Sequence, residues 1–270
     1  MQPRSLITTT FLALTLAAVA TTTLAGRAPS FVFPVAPLAS SDVESQITDL
    51  TRKLRSSDEE ERRDAVTQLA ALNTRLAADA LRSALDDASE QVRAQAITGL
   101  ASIGDSSIAP AIAARLAQDK RPFVRKTAAY ALGRLANLST TPALVSALKD
   151  KDDEVRGVAA VALGQYKDPT AIAALSQSLA DKNDFVRAHA AHALGVQGAA
   201  AVSTVPRLIG LLNSDKENRV RRQAARALGL IGDRSALPAL DRAQRNPDPY
   251  LSLEALEAIS KIKSGDTARL

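Results

Sequence analysis

From about residue 42 the apolar and polar positions of this chain fall into a recurring pattern. The segments "FVRKTAAYALGRLA", "EVRGVAAVALGQYK", "FVRAHAAHALGVQG" and "RVRRQAARALGLIG" superimpose without gaps. Val-Arg recurs at 92–93, 124–125, 155–156, 186–187 and 220–221, at intervals of 32, 31, 31 and 34 residues. Leu-Gly recurs at 132–133, 163–164, 194–195 and 228–229. "ERRDAVTQLAAL", from Glu61, fits one period upstream, and "LSLEALEAISKI", from Leu251, fits one period downstream. The result is seven units of about 31 residues, the period range of repeat architectures. The two end units are degenerate, as expected where a terminal repeat must face solvent.

Each unit carries two helical patterns. The first precedes an Asp-rich turn, as in "TTPALVSALKDKDD". Its Pro142 recurs as Pro110, Pro206 and Pro238, near the helix start, where a missing N–H is tolerated. The second begins at Val-Arg. At 100° per residue, Val155, Ala159, Ala162, Leu163 and Tyr166 form one face, and that face predicts the core. Ala160 and Gly164 lie on the next face, small enough to admit the neighbouring unit closely. Gly157, Val158, Val161 and Gln165 occupy the third. The second face repeats from unit to unit and the third does not, which separates scaffold from candidate site within one sequence. The pattern predicts an all-α array of helix–turn–helix units over residues 42–263, with a short tail at 264–270.

Composition agrees with this. A hydrophobic share of 46% supports a large core, and an aromatic share of 3% without Trp means that Ala, Leu, Val and Ile build it. The absence of Cys excludes disulfides, thiolate metal sites and a cysteine nucleophile. The N-terminus, "MQPRSLITTTFLALTLAAVATTTLA", has one basic residue, an apolar centre from Phe11 to Val19 and small residues up to Ala25. It reads as a signal peptide over residues 1–25, cleaved after Ala25 or after Ala20; the alternative is an uncleaved membrane anchor. Residues 26–41, "GRAPSFVFPVAPLASS", hold three prolines and no acid, and read as a linker. An extracytoplasmic location, periplasmic or secreted, follows from that reading. Removing residues 1–25 takes the net charge from +5 to +5 − 1 = +4. So mild a charge suits an acidic partner and, with so few aromatics, does not predict nucleic-acid binding.

The unit D-x-x-x-V-R-x-x-A-A-x-A-L-G resembles the short HEAT-like repeats of bacterial proteins, the class that includes the phycobilisome lyases. The resemblance covers roughly residues 42–263. It implies a right-handed superhelix, an α-solenoid whose second helices line the concave side. It also implies that Arg93, Arg125, Arg156, Arg187 and Arg221 pair with turn acids such as Asp86, Asp119, Asp150, Asp181 and Asp215 in a ladder between units. The wheel independently puts Arg156 between the core face and the neighbour face, where a buried-edge guanidinium needs a carboxylate. The ladder is expected to weaken at the ends, where Arg62 meets a different loop and Ser252 replaces the arginine.

Carried from unit to unit, the third face forms a surface. Lys126 with Arg134, and Arg222 with Arg226, bracket a middle of Tyr130, Val158, Val161, His189 and His192. An apolar and aromatic centre with a charged rim is a common build for a protein-binding patch. The expected partner is a protein or peptide with acidic residues near an apolar anchor, and Tyr130 is the expected contact at its centre. The alternative is an ordinary solvated solenoid face. His189 and His192 are the only histidines in the chain. They lie one turn apart with no cluster of carboxylates on their helix, which does not make a metal site. Di-iron hydroxylases on HEAT-like scaffolds use repeated His-Glu dipeptides, and here Ala190 and Ala193 follow the histidines. The enzyme alternatives, lyase-like or hydroxylase-like, therefore rest on the scaffold alone. No Gly-rich phosphate loop, G-x-S-x-G or H-E-x-x-H occurs. The expectation is a binding protein that is not an enzyme and has no cofactor, with the histidines adding at most a modest pH sensitivity.

Overall fold

The computed structural model describes residues 40–166 and 168–265. The chain divides into residues 1–38 and a compact unit from Ala39 onward, which is the subject here. The expected signal peptide, the linker up to residue 39, and tail residues 266–270 lie outside the described residues. The first helix begins at Ser40, so Ser40 and Ser41 belong to it and not to the linker. No helix among the described residues is long and apolar enough to cross a membrane.

Fourteen α-helices and no strand occur among the described residues, and they pair into seven hairpins. The first helices are α1 (Ser40–Lys53), α3 (Arg75–Ser83), α5 (Ala109–Gln118), α7 (Thr141–Ala147), α9 (Pro169–Ser178), α11 (Val205–Ser214) and α13 (Leu237–Ala243). The second helices are α2 (Glu59–Leu72), α4 (Glu90–Ile103), α6 (Pro122–Leu135), α8 (Asp153–Gly164), α10 (Asp184–Val196), α12 (Asn218–Ile231) and α14 (Pro249–Ser264). The fold is an all-α solenoid.

Local chemistry starts five of the seven second helices. Asp58, Ser89, Asp152, Asn183 and Asp248 are N-caps whose side chains accept from amides of the first turn, satisfying donors that a helix start leaves open. The recurring prolines sit at the starts of α5, α7, α11 and α13. The predicted core face is buried: Val155, Ala159, Ala162, Leu163 and Tyr166 are all within the core. The Tyr166 hydroxyl donates to the Leu132 carbonyl one unit back and lies within hydrogen-bond distance of Thr140 Oγ1.

The small-residue face sets the spacing between units. A Cβ added to Gly133 would come within 2.9 Å of Ala162, and one added to Gly229 within 2.6 Å of Ala258. Gly164 and Gly195 meet Ala193 and Ala227 in the same way. Only glycine lets these backbones approach so closely. The second helices therefore pack tightly on one another, while the shorter first helices contact their neighbours sparsely. Unequal spacing in the two layers places the second helices on the inner side of the array. On the first-helix side the looser packing leaves an open cleft of about 420 Å³ between α7 and α9.

Candidate binding groove

Each ladder arginine holds two units together. Arg125 Nε and Nη2 donate to Asp150 in the next unit, both at 2.7 Å. Its Nη1 donates to the carbonyls of Asp119 and Lys120 in its own turn. Arg93 with Asp119, Arg156 with Asp181, and Arg187 with Asp215 repeat this geometry. Each of these aspartates also accepts a backbone N–H two residues on, from Arg121, Asp152, Asn183 and Glu217 respectively. Burial alone would raise the carboxyl pKa of Asp119, Asp150, Asp181 and Asp215. The guanidinium fork, the backbone amide and nearby positive charge outweigh burial and hold all four below the ordinary carboxylate value.

Two expected members do not take part. Asp86 pairs with Arg115 on α5, and the adjacent Asp87 takes the rung, accepting the fork of Arg62. Asp87 lies six residues before Arg93 and receives its own turn's arginine through the backbone, as Asp119 does for Arg125. Asp86 is one residue out of that register. The ladder thus reaches the first unit, where it was expected to weaken. At the other end Arg221 has no carboxylate partner among the described residues: Asn246 stands at the rung position and accepts the Asp248 amide there. Arg221 turns back to the Leu212 carbonyl and Asn218. Its neighbour Arg222 bridges to Asp248 instead, at 3.2 Å.

The third face divides into two sectors. In the first, α6 and α8 enclose a cavity of about 340 Å³ lined by Tyr130, Gly133, Arg134, Ala136, Val158, Val161, Ala162 and Gln165. Four of the predicted residues, Tyr130, Arg134, Val158 and Val161, come together here. Tyr130 is 60% exposed, and Val158 and Val161 form a half-buried apolar floor. Arg134 is exposed and forms no ion pair or hydrogen bond among the described residues. Lys126 is not available in the same way, because its ammonium pairs with Glu154.

The second sector belongs to α10, α12 and α14. The His189 ring meets the edge of Phe185 at a centroid distance of 4.2 Å, and the Arg219 guanidinium lies over the Phe185 ring at 5.7 Å. Arg219 also pairs with Asp184. Arg222 stacks on Tyr250 at 5.1 Å. Arg226 is exposed with no ion pair or hydrogen bond among the described residues. Both histidines are half-buried. Burial lowers the pKa of each. His192 and Arg219 lower His189 further, and Arg226 does the same for His192. Gln223 Oε1, in the column of Val158 and His189, is buried without a hydrogen-bond donor among the described residues. Among the described residues, no group of three or more His, Asp or Glu could hold a metal ion.

Several positions in the columns of the third face are covered. Gly157, Ala94, Ala188 and Leu230 are buried. At Gly157 the Phe185 ring of the next unit fills the space of a side chain, so that an added Cβ would lie 2.1 Å from it. Phe185, Arg219, Tyr250 and Glu154 share one column, the residue before the Val-Arg position, with Gln91 and Phe123. That column varies as strongly as the third face, and its variability is the signal that sequence reasoning passed over.

Seven helical hairpins with an invariant packing face and a variable inner column define a helical-repeat solenoid. The profile of HEAT repeats matches residues 47–133, 109–195 and 205–269, and the chain belongs to that family. Among solved structures it is similar to YIBA_ECOLI of Escherichia coli, with 26% identity, 82% of each chain covered and a TM-score of 0.61. An engineered protein shares the fold at 24% identity and a TM-score of 0.51, over 83% of this chain and 69% of that one. The complex of CpcE and CpcF of phycocyanin lyase from Nostoc sp. PCC7120 is more distant, at 20% identity and a TM-score of 0.49, over 88% of this chain and 99% of that one. No curated protein matches the chain.

Proposed function

We propose that this protein is an exported, non-catalytic scaffold that binds a protein or peptide along the inner face of its second helices. The observation that carries the reading is the cavity between α6 and α8. There an exposed tyrosine and an apolar floor adjoin Arg134, a guanidinium without an internal partner. Of the cations on this face, Lys126, Arg219 and Arg222 are engaged by Glu154, Asp184 and Asp248. Arg134 and Arg226 remain to meet a ligand. They lie three layers apart, on the order of 30 Å at ordinary helix spacing, which an extended peptide of about nine residues spans. The ligand chemistry is therefore an apolar side chain in the Tyr130 cavity with an acidic group at Arg134 and a second towards Arg226. Export rests on the apolar, nearly uncharged N-terminus.

Selection from a random displayed peptide library tests this. Wild type is expected to enrich sequences that combine an acidic residue with a bulky apolar one. The triple variant Tyr130→Ala, Arg134→Gln, Val161→Ser should lose the enrichment. Enrichment unchanged in the variant, or peptides with no acidic preference, would contradict the reading.

A further inference from the structure

The turns on the ladder edge carry a second regularity. The residue after the rung aspartate is Lys120, Lys151, Lys182 and Lys216 in four successive units. The residue after that one varies, as Arg121, Asp152, Asn183 and Glu217. All four lysines are exposed, and none forms an ion pair or a side-chain hydrogen bond among the described residues. Packing does not require a lysine there, as it requires the arginine of a rung. The backbone around the lysines is fixed. Asp119, Asp150, Asp181 and Asp215 each accept the amide two residues on, which closes the turn around the lysine. The carbonyls of Lys120, Lys151 and Lys182 also accept from Nη1 of the rung arginines. The four lysines thus form one row, about 10 Å from layer to layer and on the order of 30 Å in all. The rung aspartates do not neutralise it, because Arg93, Arg125, Arg156 and Arg187 already hold those carboxylates. Lys149 and Arg245 add exposed cations to this edge, against Asp152, Asp153 and Glu217, the acids of these four turns without an ion pair among the described residues.

The row ends at Ala88, which takes the lysine position one unit back. An open cavity of about 430 Å³ lies there, between the turns of the second and third units. Asp86, Arg115, Gln118, Lys120 and Arg121 line it with charged and amide groups. Such a lining suits a polyhydroxylated ring and not an acyl chain. The four turns hold no aromatic residue among the lysines, unlike a channel on which single-stranded bases stack. The charges of the row are also several times sparser than duplex phosphates, which come about every 1.7 Å along the axis. A polysaccharide with one carboxylate per disaccharide carries charge at intervals comparable with a helix layer. We propose that this edge binds an acidic, uronate-containing polysaccharide, with carboxylates along Lys120, Lys151, Lys182 and Lys216 and a sugar ring in the cavity beside Ala88. Lysine meets a carboxylate as a point charge on a flexible stem, so the complex is sensitive to salt. It is independent of the groove.

Titration of the full chain with a hyaluronan decasaccharide, in which uronate and neutral sugars alternate, tests the proposal. Binding is expected at low salt and should weaken steeply from about 20 to 200 mM as exposed charges are screened. Lys120→Gln, Lys151→Gln, Lys182→Gln and Lys216→Gln should each weaken it about threefold, and the four together should abolish it. Ala88→Trp should fill the cavity and weaken binding too. All five side chains are exposed, so melting of these variants should match wild type. Arg55→Gln, Arg63→Gln, Arg75→Gln and Lys263→Gln together remove the same charge from exposed sites elsewhere and should leave binding intact. The groove variant Tyr130→Ala, Arg134→Gln, Val161→Ser should bind the decasaccharide as wild type does. No binding at low salt, binding retained in the quadruple lysine variant, or an equal loss in the charge control would each overturn the assignment. So would tighter binding to a single-stranded oligonucleotide or to phosphatidylglycerol vesicles than to the decasaccharide.

Discussion

The arginine ladder and the inner groove lie on the same second helices, a turn or less apart, yet they obey opposite rules. Along the ladder edge the units of α4, α6, α8 and α10 repeat one solution, a guanidinium fork on the next unit's aspartate with the third nitrogen on its own turn. Along the groove the same helix positions hold Thr98, Tyr130, Val161, His192 and Arg226 in succession. The difference shows where physics constrains the sequence. A buried-edge arginine must be paired in every unit or cost stability, whereas a groove residue answers only to whatever it touches.

The ladder makes the larger prediction. Arg125 is 5% exposed, and Arg125→Ala would leave Asp150 half-satisfied at a protected interface. A loss of about 3 kcal/mol is expected by urea denaturation, in the range for breaking a buried pair. The rung aspartates have folded pKa values below their unfolded ones. Their contribution is therefore present above the unfolded carboxyl pKa and lost as pH falls through the lower folded value. Acid titration of stability should steepen below about pH 4 in wild type and less so in Arg125→Ala. A stability change under about 0.5 kcal/mol would reduce the ladder to the value of a surface pair.

The interface between α12 and α14 sharpens the comparison, because there the rung is missing. Asn246→Asp should recreate it, drawing Arg221 from the Leu212 carbonyl and raising stability by about 1 kcal/mol, the worth of a part-exposed charged pair. No gain, or an equal gain in an Arg221→Ala background, would show that the break is not electrostatic.

Both corrections in the ladder were legible by counting. Each rung aspartate precedes its own turn's arginine by six residues. That count selects Asp87 over Asp86 and puts Asn246 opposite Ser252. The seven units, the core face and the glycine contacts also follow from periodicity, since burial of one face of a helix leaves a 3.6-residue signature. The covering of Gly157 by Phe185 did not, because a wheel drawn for one helix carries nothing about a side chain arriving from the next. The cavity at Tyr130 lies between these cases. Its residues were visible as an irregular column, but its enclosure by Gly133 and Ala136 needed the helix spacing. Nor could the sequence show that Lys126 and Arg222 are already neutralised by Glu154 and Asp248.

The smallest effect belongs to the histidines. Their folded pKa values are depressed by burial and neighbouring cations, so protonation favours the unfolded chain. Stability should start to fall as pH drops below the ordinary value of 6.5 and level off below the folded pKa. In the double variant His189→Gln, His192→Gln the melting temperature should change less between about pH 7.5 and 5 than in wild type. An identical slope in the two proteins would remove the histidines from the pH response.

The separation of scaffold edge from binding groove is tested most directly by measuring affinity and stability on the same variants. An enriched peptide is titrated calorimetrically into wild type, Tyr130→Ala/Arg134→Gln/Val161→Ser and Arg125→Ala, and each protein is melted in the same buffer. The account predicts that the groove variant loses binding at least about a hundredfold, as hot-spot truncations do, with an unchanged melt. Arg125→Ala should melt early while binding within a few-fold of wild type below its transition. Binding that survives in the groove variant, or that falls only in proportion to lost stability, would contradict it.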